Sequence, residues 1–451
     1  MAGGTRFAPW FSSSRLLALV AAAAALLLYK AELSRAYIVF GLGRPSAKTI
    51  VTNPHDLLLI PDTVHCEDLH YHEPSNLLFT ACEGTEHTRM VWFPPLAMFD
   101  DPAAALRAQG ALEVIDPHTM KAKKLTFTNF NGPFVTHGID IIDDPEREKG
   151  QAVYIFAVNH VPSPAYAHDK NAKGHKARSI IEVFHHYIGS DTVDHVRSVW
   201  HPLITTPNDI LAITPTSFFV TNDHYHREGL LRLVGDVFYG AKWTNVIHVE
   251  FQHFTDGSFR DGEDGVRASV AIAGLHNGNG LAHGPKPTDI LISSPASGRI
   301  HLGEMSSPAS ETGGYGPRTI TIKETIDIDS TVDNPSWFRD PFAQSNRDLS
   351  GIVIAGLTSA LEFFKAVKNG HGPVGVMVWM AQPSFRGTTQ GNGEPRWAKK
   401  LLFEDDSSSI RTASAAVLVA IDPAKEHGER KAWLFVTGPF STSVIAVKTS
   451  L

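Results

Sequence analysis

Residues 205–226 read TTPNDILAITPTSFFVTNDHYH: an Asn-Asp pair (Asn208, Asp209), an apolar run, a Pro-Thr-Ser turn, a second apolar run, then Asn222, Asp223 and His224. Short runs rich in Ile, Val and Phe, bounded by Pro, Asn and Asp, are strand signals, so the stretch predicts a hairpin. The start of one strand lies beside the end of its antiparallel neighbour, so both polar ends belong to the same edge.

The same template recurs along the chain. Glu67-Asp68 leads into LHYH, the turn EPSN and LLFTAC; His137 leads into GIDII, a polar turn and AVYIFAVNH; Asn279 leads into GLAH, a turn and ILISSP. Asp333-Asn334 opens a divergent copy, DNPSWF then GIVIAGL, and SAAVLVAI with KAWLFVTG forms a last copy without ligand-type residues. The copies start at residues 67, 137, 208, 279, 333 and 414, in steps of 70, 71, 71, 54 and 81. Runs such as RSIIEVFHHYI and TNVIHVEFQHF supply outer strands by their alternation. About four strands per repeat predict an all-β fold, a six-bladed β-propeller over residues 41–451. Two unrelated β-domains would not preserve the period. Ser163–Arg178, Glu304–Arg318 and Gln382–Lys399 break the pattern and read as surface loops.

Composition narrows the class. At 451 residues, 43% hydrophobic, 19% charged and net −7, the chain is globular and offers no basic stripe for nucleic acid. Residues 1–40 read as an N-terminal signal-anchor or signal-peptide segment and linker, a hydrophobic helix preceding the propeller. Arg6 and Arg15 precede the charge-free run Leu16–Tyr29, which is short for a membrane span. The run ends Leu-Leu-Leu-Tyr without a small-residue cleavage site, which favours a retained membrane anchor over a removed peptide. Either way the body is expected in the secretory pathway, on the lumenal or outer side or secreted. The two cysteines, Cys66 and Cys82, flank one hairpin and are either bridged or two buried thiols.

In a propeller the equivalent ends of successive blades face one mouth of the central tunnel. Glu67, Asn208, Asn279, Asp333 and Asn334 therefore converge, offering two carboxylates and three amide oxygens, the donors of a hard cation and best suited to calcium. Adjacent strand residues face opposite ways, so Asp68 and Asp209 are expected to hold a second, deeper ion. His137 and His160 fall at matching ends of one hairpin in the same ring, as a pair that activates water. Asn222, Asp223 and His224 return to that mouth to support the site. No HExxH, G-x-S-x-G or phosphate-binding loop is present, NGNGL at 277–281 precedes no helix pattern, and HYH at 70–72 reads as packing.

The stretches CEDLHY, HGIDI, VYIFAVNH, IIEVFHH, PNDILAITPTSFFVTNDHYH, NGNGL and VDNPS resemble the serum paraoxonase/arylesterase family of calcium-dependent lactonases and esterases, over about residues 60–340. The resemblance implies two calcium ions in the tunnel of a six-bladed propeller. The catalytic ion would take Glu67, Asn208, Asn279, Asp333 and Asn334; the structural ion would take Asp68, Asp209 and the backbone carbonyl of Ile139. The family's histidine pair falls on His137 and His160. Implied is hydrolysis of a small-molecule ester or lactone, with calcium stabilising the oxyanion and His137 taking the proton of water. The alternative is a non-catalytic, calcium-stabilised propeller that binds a lipid or protein partner. A gluconolactonase-like propeller has no reason to carry the Glu67-Asp68 and Asn208-Asp209 doublets. The family's closing disulfide has no counterpart, because the chain ends SVIAVKTSL, so closure must rely on strand pairing.

Overall fold

The alternating Val-, Ile- and Phe-rich runs form antiparallel strands wherever Pro, Gly, Asp or Asn turns separate them. The computed structural model describes residue 20 and residues 29–451 apart from 46, 50, 52, 85, 253–261, 308–315, 345–346, 370–371 and 385–395. Three sheets of four strands begin with Cys66–His72, Pro207–Thr214 and Leu281–His283, and a five-stranded sheet begins at its inner edge with Thr136–Asp143. An eight-stranded sheet carries Thr331–Phe338 and Ala415–Ala420 side by side at its centre, joined by the one pair Asn334↔Ala415. The architecture is all-β and propeller-like.

The first strands of these units contact one another in chain order, from Cys66–His72 through Thr136–Asp143, Pro207–Thr214, Leu281–His283 and Thr331–Phe338 to Ala415–Ala420, which returns to Cys66–His72. Successive sheets pack face to face through separate apolar layers. Phe156, Val158 and Val183 meet Ile210, Phe218 and Val249 in one, and Val353, Val378 and Met380 meet Leu418, Leu434 and Val436 in another. Each fully buried side chain of this kind stabilises by about 1.5–3 kcal/mol.

Strand pairing joins the first described strand to the last. Leu57–Ile60 pairs antiparallel with Val444–Ser450, from Leu57↔Val447 to Ile60↔Val444. Cys66 and Cys82, opposite each other on neighbouring strands, are disulfide bonded. The pattern breaks are shorter than the sequence predicts. Strands run to Met305, to Pro383 and from Trp397, and Ser163–Arg178 contains the helix Pro164–His168; the remaining parts of the other two segments fall largely outside the described residues. Outer strands extended by pairing override the local Gly and Pro signals.

Residues 29–39 form a helix laid on the body. Arg35 donates to the carbonyls of Ser297 (3.1 Å), Gly298 (2.6 Å) and Ile328 (2.5 Å), and Val39 is buried. Among the described residues no helix is long and apolar enough to cross a membrane. The run Leu16–Tyr29 lies outside them except for Val20 and Tyr29.

Candidate active site

Four inner strands break register at the tunnel, each where its polar doublet or histidine lies. Three steps on the inner strand oppose two on its neighbour between Cys66↔Cys82 and Leu69↔Thr80, and again between Pro207↔Asn222 and Ile210↔Val220. The same shift separates Val332↔Gly356 from Pro335↔Ile354, and Thr136↔Asn159 from Ile139↔Ala157. An extra residue of this kind is a β-bulge, which bends the strand and re-aims its side chains. Glu67 with Asp68, and Asn208 with Asp209, are thereby all buried at the tunnel instead of alternating in and out. Glycines let the strands approach: a Cβ on Gly138 would run into the Asn208 carbonyl, and one on Gly280 would stand 2.7 Å from Asn334 Oδ1.

Glu67, His137, Asn208, Asn279 and Asp333 line one cavity of about 290 Å³, walled by Phe40, Phe93, Leu233, Val237, Phe363 and Phe364. Asn334 reaches the same cluster, its Nδ2 donating to Glu67 Oε1 at 3.2 Å. Asn208 Nδ2 donates to Asp223 Oδ2 at 3.2 Å. With the amide nitrogens so engaged, Asn208 Oδ1 and Asn334 Oδ1 are buried without a donor, and Asn279 Oδ1 is in the same state. Buried acceptors left unpaired cost about 1–3 kcal/mol each. Burial and the neighbouring Asp333 and Asp68 push Glu67 well above the usual carboxylate range, and burial with Asp68 and Asp223 does the same to Asp333. Donor-free amide oxygens beside two strained carboxylates are what a hard cation such as calcium would relieve. Among the described residues no group of three or more His, Cys, Asp or Glu side chains could hold a metal; this set instead mixes carboxylates with amides.

The deeper pair is differently furnished. Asp68 Oδ1 accepts from Leu69 N (2.8 Å), and its Oδ2 accepts from Ile139 N (2.9 Å) and lies 3.1 Å from His70 Nε2. Asp209 accepts from the N–H groups of Ile210 and Leu281, both at 2.7 Å. The Ile139 group on Asp68 is its N–H, and the fit to a second ion is weaker than that of the upper set. His70 does more than pack: it also lies 3.4 Å from Asp140 Oδ1, and Asp140 Oδ2 lies 3.1 Å from His283 Nε2. Those three residues line a second cavity of about 660 Å³ at the far ends of the inner strands.

The two histidines meet. His160 Nε2 lies 3.0 Å from His137 Nδ1, and His137 Nε2 lies 3.9 Å from Glu67 Oε2. Burial pushes the His137 imidazole down to about 3 and His160 well below its usual value, so both are neutral near pH 7. Asp223 and His224 also reach the cluster. Burial alone raises the Asp223 carboxyl, but His224, 2.9 Å away, outweighs it and holds Asp223 at about 2. His224 Nε2 in turn lies 2.8 Å from Asp236 Oδ1 on the helix Leu230–Val237. Asn222 does not join them; its Oδ1 accepts from Thr205 N and Thr206 N, and its Nδ2 donates to Leu203 O and Asn245 Oδ1.

Sequence reasoning missed Arg89 and Phe93. Phe93 packs edge-on against His137 and His160, with centroids 5.0 and 6.1 Å apart. The fully buried Arg89 guanidinium stands 4.2 Å over Phe93 and donates to the carbonyls of Thr136 and His65. Both follow a loop outside the repeat, where no periodic signal marks them.

An arylesterase family model matches residues 121–259, a span that includes His137, His160, Asn208, Asp209 and Asn222–His224 but not Glu67, Asn279, Asp333 or Asn334. Serum paraoxonase/arylesterase 2 of Gallus gallus is 26% identical over 205 residues, covering 46% of each chain. Serum paraoxonase/arylesterase 1 of Mus musculus is 26% identical over 203 residues, covering 45% of each. The chain thus matches about half the length of these curated relatives. A luciferin-regenerating enzyme of solved structure overlays with a TM-score of 0.40 at 10% identity, covering 89% of this chain and 95% of that one, too remote to bear on the chemistry. Over residues 121–259 the chain is thus similar to arylesterases, and over about half its length to serum paraoxonase/arylesterases 1 and 2.

Proposed function

We propose that this chain is a calcium-dependent hydrolase of lactones or aryl esters, built on a six-bladed propeller whose eight-stranded sheet is two blades sharing the Asn334↔Ala415 pair. The observation that carries the reading is that His137, paired with His160, shares one cavity with the donor-free amide oxygens of Asn208 and Asn279, beside that of Asn334. The arylesterase match over residues 121–259 supports the same chemistry.

Glu67, Asn208, Asn279, Asp333 and Asn334 would hold the ion at the mouth, and Asp68, Asp209 and Ile139 the deeper one. Bound at the mouth, calcium supplies Lewis-acid polarisation of a carbonyl and charge for the developing oxyanion, worth several kcal/mol. The chain's own groups do the rest. His137 presents Nε2 toward the Glu67 side of the cavity and takes the proton of the attacking water, a service worth about 10²–10⁴-fold. His160 holds the other His137 nitrogen at 3.0 Å. Phe93 packs edge-on against both rings and fixes their orientation, and the walls of Leu233, Val237, Phe363 and Phe364 favour an uncharged, apolar substrate. The disulfide Cys66–Cys82 suits an oxidising compartment, in keeping with entry into the secretory pathway and a membrane anchor at the N-terminus.

A panel of lactones and aryl esters tests this. Turnover of at least one class, cut by roughly a hundredfold or more in His137→Gln, is expected. A panel with no turnover, or a His137→Gln protein as active as its parent, overturns the reading.

A further inference from the structure

His137 lines the reaction cavity, whereas His160 lines a small neighbouring one. The remaining nitrogen of His160, Nδ1, lies 2.8 Å from Ser179 Oγ, and Ser179 is 5% exposed. The loop after His160 delivers that hydroxyl: the bridge Pro162↔Ala177 and the bond from Arg178 N to Val161 O (2.9 Å) close the loop and return the chain beside the histidine. Ser179, His160 and His137 therefore form one hydrogen-bonded row ending at His137 Nε2.

A neutral imidazole carries one N–H, so the row runs in one of two senses. When Ser179 Oγ accepts, His160 holds its proton on Nδ1, its bare Nε2 accepts from His137 Nδ1–H, and His137 Nε2 is left with a free lone pair. When Ser179 donates, every bond reverses and His137 Nε2 carries a proton, which disqualifies it as a base. We infer that Ser179 is the positioning residue of the histidine pair, its Oγ accepting from His160 Nδ1–H and so selecting the tautomer in which His137 Nε2 is free. This rests on His137 acting as the base of the proposed reaction. The logic is that of a base oriented by a third group.

Ser179→Ala, Ser179→Val and Ser179→Thr test it, because Thr and Val share a shape and differ by the hydroxyl. Since the base as a whole is worth about 10²–10⁴-fold, Ala and Val are expected to lower kcat by about tenfold with KM within about twofold, and Thr to stay near the parent. Calcium content per chain is expected to be the same in all three. A Ser179→Ala protein with parental kcat, a Thr variant no better than Val, or calcium lost along with kcat overturns the inference. His137→Gln and His160→Gln, assayed alongside, separate the two failures. If both remain active the proposed reaction falls; if both are inactive while Ser179→Ala is at parental kcat, only the role of Ser179 falls.

Discussion

Glu67 and Asn208 are each followed at once by an aspartate, yet the two layers they form differ in whether N–H groups meet their oxygens. In the upper layer the oxygens of Asn208, Asn279 and Asn334 are buried with nothing donating to them, and burial pushes Glu67 and Asp333 up. In the lower layer Asp68 and Asp209 are held by the N–H groups of Leu69, Ile139, Ile210 and Leu281, although burial and Asp68 push the Asp209 carboxyl up as well. One kind of bulge makes both. It turns Glu67 and Asn208 toward an open cavity, and Asp68 and Asp209 toward the backbone of the next strand. The upper layer spends stability to keep donors free, and the lower layer ties neighbouring blades together.

Substitutions in the two layers should therefore fail in different ways. The largest effect is expected from Glu67→Ala, which removes an upper carboxylate: kcat/KM for a lactone falls roughly a thousandfold, in line with the several kcal/mol a Lewis acid supplies. The same variant, unfolded in urea without calcium, is expected to be at least as stable as the parent, because a carboxyl that burial, Asp333 and Asp68 push well above its ordinary range is gone. A drop in calcium-free stability would break the contrast. Next, Asp209→Ala strands the N–H groups of Ile210 and Leu281, and unfolding should show a loss of roughly 2 kcal/mol or more. Stability equal to the parent would deny the lower layer its structural role.

Asp236→Asn is gentler. It weakens the row Asp236, His224, Asp223, Asn208 at its far end, and calorimetric titration should show calcium affinity reduced by about tenfold. An unchanged affinity would leave Asn208 independent of the helix Leu230–Val237.

The smallest effect separates the tunnel from the sheets around it. Burial, helped by Arg318, pushes His248 down to about 4 from an ordinary value of 6.5. A lowered folded-state value means that stability is fully present above 6.5 and is lost as pH falls through 4. The urea midpoint should therefore decline across that window, and less steeply in His248→Asn. Parallel declines in the two proteins would remove His248 from the acid response.

The sequence shows the repeat plainly because polar doublets punctuate apolar strand pairs about every seventy residues, and the converging oxygens follow from that period. It hides the bulges, since a register shift depends on a partner strand that carries no mark of its own. Hence Asp68 and Asp209 are legible as a separate layer, but their saturation by N–H groups is not. Asn222 shares a doublet with Asp223 and still turns away, because Leu203 and the N–H groups of Thr205 and Thr206 claim its amide. Arg89 and Phe93 come from a short helix and strand outside the repeat and Ser179 from a loop, where geometry is set by the body on which the segment lies. His70, read as packing, gains its role from Asp140 on the next inner strand, about seventy residues away.

The central claim is that the upper layer is a calcium site required for turnover and not for the fold. Strip the purified protein with a chelator, then return calcium stepwise while recording far-ultraviolet circular dichroism and lactone hydrolysis on the same samples. The expected result is hydrolysis lost on chelation with the β-sheet signal retained, and recovered in step with bound calcium. Hydrolysis that continues unchanged in the calcium-free protein would contradict it.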